Sequence, residues 1–204
     1  MEKYSAGVRK NFEELGIGIY ELSLLLDKSK YLDDVCAQTA NILLQEKFPG
    51  VKGFGDTLHV HNTLLYRLRE SPPAANIYHC GRQLHFVSAA YLEVDVVLYF
   101  DSLKPGSEPK NSVVDQIRAS FAFTRKKFKL LSVQCQKQGG VDCLCFCAAN
   151  LDAVLSGKSA SCVRFYKKSV RRQLLRSFEN GCLKFKYLKS VKSRGKPTIF
   201  NYEV

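Results

Sequence analysis

Several stretches of the chain repeat apolar residues at helical spacing, and others pack them densely in the manner of strands. Residues 33–48 put Cys36, Ala40, Leu43 and Leu44 at roughly helical intervals, with Asp33 or Asp34 to cap the start and Pro49-Gly50 to stop the run. The spacing predicts a helix there. Gly53, Gly55 and Asp56 then mark a loop, residues 63–70 fit no single pattern, and Ser71-Pro72-Pro73 breaks whatever precedes it. Strands are predicted over 77–80, 84–91 and 94–100, the last rich in β-branched and aromatic residues. Residues 112–121 read as a helix with Val113, Ile117 and Phe121 inward, and 128–133 as another strand. A polar turn with Gly139-Gly140 leads into an apolar helix over 143–155, closed by Gly157. A final amphipathic helix over 169–178 turns Val170, Leu174, Leu175 and Phe178 inward and Arg171, Arg172 and Arg176 outward. Helices and strands mixed in this way predict an α+β fold, a central sheet flanked by helices.

The first 30 residues read differently. Leu22–Leu26 is apolar but short, and Gly16 and Gly18 interrupt any helix before it. Residues 1–30 are therefore expected to be an N-terminal extension, 31–190 the main domain, and 191–204 a basic tail.

Composition sharpens this picture. The chain has 204 residues, 46% of them hydrophobic, enough for a substantial core. No apolar run approaches the length of a membrane span, and residues 1–10 lack the apolar centre of a signal peptide. The expected setting is intracellular, in the nucleus or cytoplasm. Its eight cysteines then read as reduced thiols, since Cys143, Cys145 and Cys147 are too close together to bridge one another easily. The net charge is +12, and residues 164–196 carry 12 basic residues against Glu179 alone. Nucleic acid is a possible partner for that block, but a solvated helix face and basic tail is the favoured reading. No membrane partner is expected.

The candidate chemistry lies in an ordered set. His85 sits in one strand, Asp101 at the end of the next, and Cys143 where a helix begins just past a Gln- and Gly-rich turn. A thiolate is a nucleophile, and a helix N-terminus with a nearby imidazolium favours it. Histidine takes and returns the proton. A carboxylate orients the imidazole and stabilises its charged form. Asp142 is placed to cap the helix that starts at Cys143. Zinc would want a wider loop spacing than Cys-x-Cys-x-Cys and a second pair, and His79-Cys80 does not supply one. His59 and His61 read as surface polar positions. No metal and no cofactor are expected.

These residues also resemble a known family. "LHFVS" (84–88), "LYFDSL" (98–103) and "QCQKQGGVDCLCF" (134–146) resemble the His, Asp and Cys blocks of the ubiquitin-like-protein-specific (SUMO/sentrin-type) cysteine proteases. "LLQEKFPGVKGFGDT" (43–57) resembles the entry segment of their transposon-encoded, adenoviral-protease-like branch. The resemblance implies a papain-like fold and a peptidase with Cys143 as nucleophile, His85 as general base and acid, and Asp101 as orienting carboxylate. It also implies a glutamine that helps hold the oxyanion, a contribution of about 10²–10³ in rate. Lys137 stands at its usual position, so the turn offers Gln138, with Gln136 as the other choice. Leu144 stands where the family has glycine, and Phe86 where it has tryptophan. Phe86, Gln136 and Gly140 are the expected binding residues. The implied substrate is a ubiquitin-like modifier or a polyprotein, cut at a peptide or isopeptide bond. A catalytically impaired relative that binds such a modifier or another partner is the alternative.

Overall fold

The computed structural model describes residues 5–55, 69–81, 85–188 and 192–204. Asp56, His59, His61, most of 63–70 and Leu84, all named above, lie outside them. Helix α3 (Asp34–Lys47) forms as its pattern requires. The Asp33 carboxylate accepts from Cys36 N at 3.0 Å, Asp34 lies in the first turn, and Lys47 lies in the last.

Five strands make the main sheet: β1 (Ala74–His79), β2 (Phe86–Glu93), β3 (Val96–Phe100), β4 (Lys127–Ser132) and β7 (Thr198–Glu203), in the order β1-β2-β3-β4-β7. All pairs are antiparallel except β3 with β4, so the sheet is mixed. The β3–β4 connection carries helix α4 (Asn111–Ser120). A small β5 (Arg164–Phe165) pairs with β6 (Tyr187–Leu188) apart from the main sheet.

Alternation along the strands fills two layers. Val87, Ala89 and Tyr91 of β2 meet Val113, Val114 and Ile117 of α4, together with Phe121 and Phe128. Phe86 and Ala90 face the other way. There they join α3, α5 (Cys143–Leu155) and α6 (Val170–Glu179) in the larger core.

Three segments add to the sequence reading. Residues 5–30 contribute to that same core through Phe12, Ile17, Leu22, Leu24 and Leu25. Gly16 and Gly18 punctuate two helices, α1 (Ala6–Glu14) and α2 (Ile19–Leu26). Gly16 takes φ +70, and Ile17 N reaches back to Phe12 O at 2.8 Å, a Schellman closure. Gly18 then serves as N-cap of α2, with Glu21 bonding its N–H at 2.8 Å. The end of the expected tail is β7, whose Phe200 and Tyr202 pack on the α4 layer. Finally, Arg171 is buried rather than outward. It stands three and four residues before Leu174 and Leu175, on the apolar stripe itself.

Candidate active site

Strand register brings the first two residues together. Ser88 of β2 pairs with Phe100 of β3, so the start of β2 lies beside the end of β3. His85 precedes β2 and Asp101 follows β3. Their side chains meet at 2.9 Å, His85 Nε2 to Asp101 Oδ1. Asp101 Oδ1 also accepts from Leu103 N at 2.8 Å and Lys104 N at 3.2 Å, an Asx turn that fixes the carboxylate.

Helix α5 runs against β2 and begins at the same end of the sheet. Its first residue is Cys143, 1% exposed, whose Sγ accepts from Phe86 N at 3.5 Å. Cys143 acts on the His85 ring together with Asp101, and both raise its pKa. With Nε2 on the carboxylate, Nδ1 is the ring nitrogen left for the thiol.

Burial opposes charge on the His85 ring. The hydrogen bonds to Asp101 and Cys143, and their charges, outweigh that and push the imidazole up to about 9. Burial likewise tends to raise Asp101, yet the His85 bond and charge and the two backbone N–H groups hold its carboxyl below the usual range. The pair thus favours imidazolium facing carboxylate, with the thiol on the ring's other side.

The turn before Cys143 is pinned from two directions. Gln138 is buried. Its N donates to Ser102 O at 2.7 Å, its Oε1 accepts from Ser102 Oγ at 2.5 Å, and its Nε2 donates to Gly140 O at 2.9 Å. Gly140 has φ +75, which glycine adopts without strain. Gln136 lies further off: both ends of its amide pair with the Phe165 backbone, at 3.1 and 2.7 Å. Gln136 is thereby a strut for β5. Lys137 is exposed between the two glutamines. Phe86 is 1% exposed and packs edge-on against His79, so only its backbone N–H addresses the sulfur.

Asp142 does not cap α5. Its carboxylate makes no capping bond and instead accepts from Arg171 Nε at 2.7 Å. Arg171 is 4% exposed and uses its whole guanidinium: further bonds run to Leu24 O, Asp27 O, Lys30 O and Val141 O, at 2.8 to 3.1 Å. One side chain therefore ties the α2–α3 connection to the turn before the thiol. Sequence reasoning missed this residue, although an arginine on an apolar helical stripe was the available signal.

No group of three or more His, Cys, Asp or Glu among the described residues is arranged to hold a metal ion. All eight cysteines are free thiols. Among the described residues no helix is long and apolar enough to cross a membrane.

No protein-family model matches the sequence, and no curated protein matches it. Solved structures do. The chain has the fold of the Ulp1-type SUMO proteases, a mixed sheet with flanking helices and a helix that starts at the candidate nucleophile. The C-terminal Ulp1 protease domain in complex with Smt3, the yeast orthologue of SUMO, superposes with a TM-score of 0.61 at 14% identity, over 87% of this chain and 96% of that one. SUMO protease Ulp1 with its catalytic cysteine oxidised to a sulfonic acid gives 0.61 at 15%, over 87% and 94%. The Ulp1-like SUMO protease catalytic domain of Chaetomium thermophilum gives 0.59 at 14%, over 88% and 91%.

Proposed function

We propose that the protein is a cysteine peptidase that cleaves a peptide or isopeptide bond at the C-terminus of a ubiquitin-like modifier or in a polyprotein, acting in the nucleus or cytoplasm. The observation that carries this reading is the contact of His85 with Asp101 at 2.9 Å beside Cys143, which starts a helix and takes the N–H of Phe86, the residue after His85, at 3.5 Å. In the proposed reaction the Cys143 thiolate attacks the scissile carbonyl. His85 passes its proton to the leaving amine, and water, deprotonated by His85, then hydrolyses the thioester. Asp101 keeps the ring oriented and stabilises its charged form. Gln138 Nε2 keeps one N–H beyond its bond to Gly140 O, and this N–H is the proposed side-chain donor to the oxyanion. The fold it shares with a protease solved in complex with Smt3 supports a modifier as substrate.

A second reading, a modifier-binding relative with impaired turnover, draws on one observation: the Cys143 thiol is 1% exposed. A C-terminal vinyl-sulfone derivative of a SUMO-type modifier separates the two. The peptidase forms a covalent adduct that disappears in Cys143→Ala. Tight binding of the modifier with no adduct in the wild type establishes the binding module and refutes the peptidase.

A further inference from the structure

Beside the candidate site lies an open groove of about 1160 Å³. That exceeds the roughly 300–1,000 Å³ of clefts that take drug-sized molecules. One wall is Leu103, Lys104 and Pro105, the loop that directly follows Asp101. Another is the run from Gln134 to Lys137 that leads to Gln138 and Cys143. The third is formed by 164–168 with Leu188 and Arg194. Six cationic side chains line it: Lys104, Lys137, Arg164, Lys167, Lys168 and Arg194, with no carboxylate among the lining residues. None of the six pairs with a carboxylate of the described residues.

That arrangement is self-repelling. Burial and the neighbouring charge of Arg164 both act against the charged form of Arg194. A cleft lined by one sign of charge attracts the opposite sign strongly. The groove also exposes apolar surface, Leu103 at 41% and Tyr166 at 52%.

We propose that this groove binds an extended acidic segment of the polypeptide substrate, with apolar side chains among its carboxylates, next to the scissile bond. The proposal rests on the peptidase reading for the word substrate. Its placement follows from the walls, which are the same two loops that carry Asp101 and lead to Cys143. A polypeptide fits better than a nucleic acid strand. Single-strand binding needs successive aromatic faces for stacking, whereas Tyr166 stands alone and the adjacent Phe165 is 2% exposed.

The test is fluorescence anisotropy on the full chain carrying Cys143→Ala, which requires no hydrolysis. Its outcome is thus independent of whether Cys143 proves to be a nucleophile. The probes are a labelled dodecapeptide of Glu and Asp with interspersed Leu, the same peptide with Gln and Asn in place of the acids, and a single-stranded oligonucleotide of equal charge. The acidic peptide is expected to bind about tenfold or more tighter than its neutral counterpart, with affinity falling as salt rises. Lys167→Glu with Lys168→Glu should weaken it by about tenfold. Lys126→Glu with Lys129→Glu, the same charge change near the far end of β4, should weaken it by about twofold at most. Circular dichroism checks that each variant is folded. If the reversed pair unfolds, Lys167→Gln with Lys168→Gln must still weaken binding by about threefold. Equal binding of acidic and neutral peptides, equal losses in groove and control pairs, or an oligonucleotide that binds tighter than the acidic peptide would each overturn the proposal.

Discussion

Truncating Arg171 removes the connection between residues 24–30 and the turn that presents Cys143. In Arg171→Met the stem keeps its length, but five hydrogen bonds are lost: to Asp142 Oδ1 and to the carbonyls of Leu24, Asp27, Lys30 and Val141. Removing one member of a buried ion pair costs about 3–5 kcal/mol, because the other charge is left without its partner. The Asp142 side chain is 21% exposed, so water takes over part of its solvation and the lower end, about 3 kcal/mol, is expected. Arg171→Lys has three N–H donors for those acceptors. At least two bonds go unmade, each contributing about 0.5–1.5 kcal/mol, so a loss of about 1–3 kcal/mol is expected. Asp142→Asn combined with Arg171→Met should recover part of the larger loss, since the orphaned charge is gone. Urea denaturation followed by circular dichroism reads all three through the transition midpoint at unchanged slope. In the folded fraction of Arg171→Met, vinyl-sulfone labelling should also slow, because an uncompensated carboxylate now neighbours a group that reacts as an anion. A midpoint for Arg171→Met equivalent to within about 0.5 kcal/mol of wild type would refute the reasoning and reduce Arg171 to a surface residue.

Asp101→Asn keeps the shape at His85 but removes the charge that favours imidazolium, and should lower kcat by about 10²–10⁴. In the same variant the His85 ring resonance, which should titrate near 9 in the wild type by NMR, moves towards the ordinary value of 6.5. An unchanged titration would show that Asp101 is not the cause. The same raised value has a consequence for stability. Between 6.5 and about 9 the folded protein holds a proton on His85 that the unfolded chain has released. The His85 contribution is therefore fully present below 6.5, declines across that window and is gone above it. Urea midpoints measured through the window should fall in the wild type and fall less in Asp101→Asn. Leu144→Gly installs the residue of the resembling family, but Leu144 is wholly buried in the larger core. Thermal or urea melts should show a loss of about 3–5 kcal/mol, as for other large-to-small core changes, and a variant as stable as wild type would contradict that placement.

Legibility followed the locality of the signal. Helix 143–155 was read with its bounds intact, because an apolar run after Gly139-Gly140 and before Gly157 is punctuated at both ends. The strands that His85 precedes and Asp101 follows were legible from β-branched and aromatic density, and adjacency of the two residues follows from the antiparallel register of those consecutive strands. Gly16 and Gly18 were legible as an interruption, and it falls where α1 closes through the 2.8 Å bond from Ile17 N to Phe12 O and α2 begins. The helices on either side were not legible, because their apolar runs are short. The strand β7 was hidden by the basic residues before it, since its half-buried Phe200 and Tyr202 form a weak alternation that gains meaning only beside β4. Arg171 was assigned by residue type against its own helical position, and its five partners lie in segments far apart in sequence.

The residues that depart from the resembling family find separate uses in this fold, and those uses bear on how an oxyanion would be held. Leu144 follows Cys143 on α5, and its side chain goes into the core at 0% exposure. Lys137 is turned out to the groove, where it adds charge rather than a neutral donor. Gln136 pairs both ends of its amide with the Phe165 backbone, which turns it towards β5. Gln138 alone among these side chains joins the Asp101 loop, through Ser102, to the turn before Cys143, through Gly140. On the proposed reading, that amide fixes the turn with one N–H and serves the substrate with the other. Asp142 would compete with the substrate for the amides of the first turn of α5 if its carboxylate capped the helix, as an aspartate there commonly does. The 2.7 Å bond from Arg171 Nε holds the carboxylate out of that role. The same arginine therefore does two things for the candidate site: it neutralises the acid beside the thiol, and it keeps that acid off the end of the helix where negative charge would develop in the reaction.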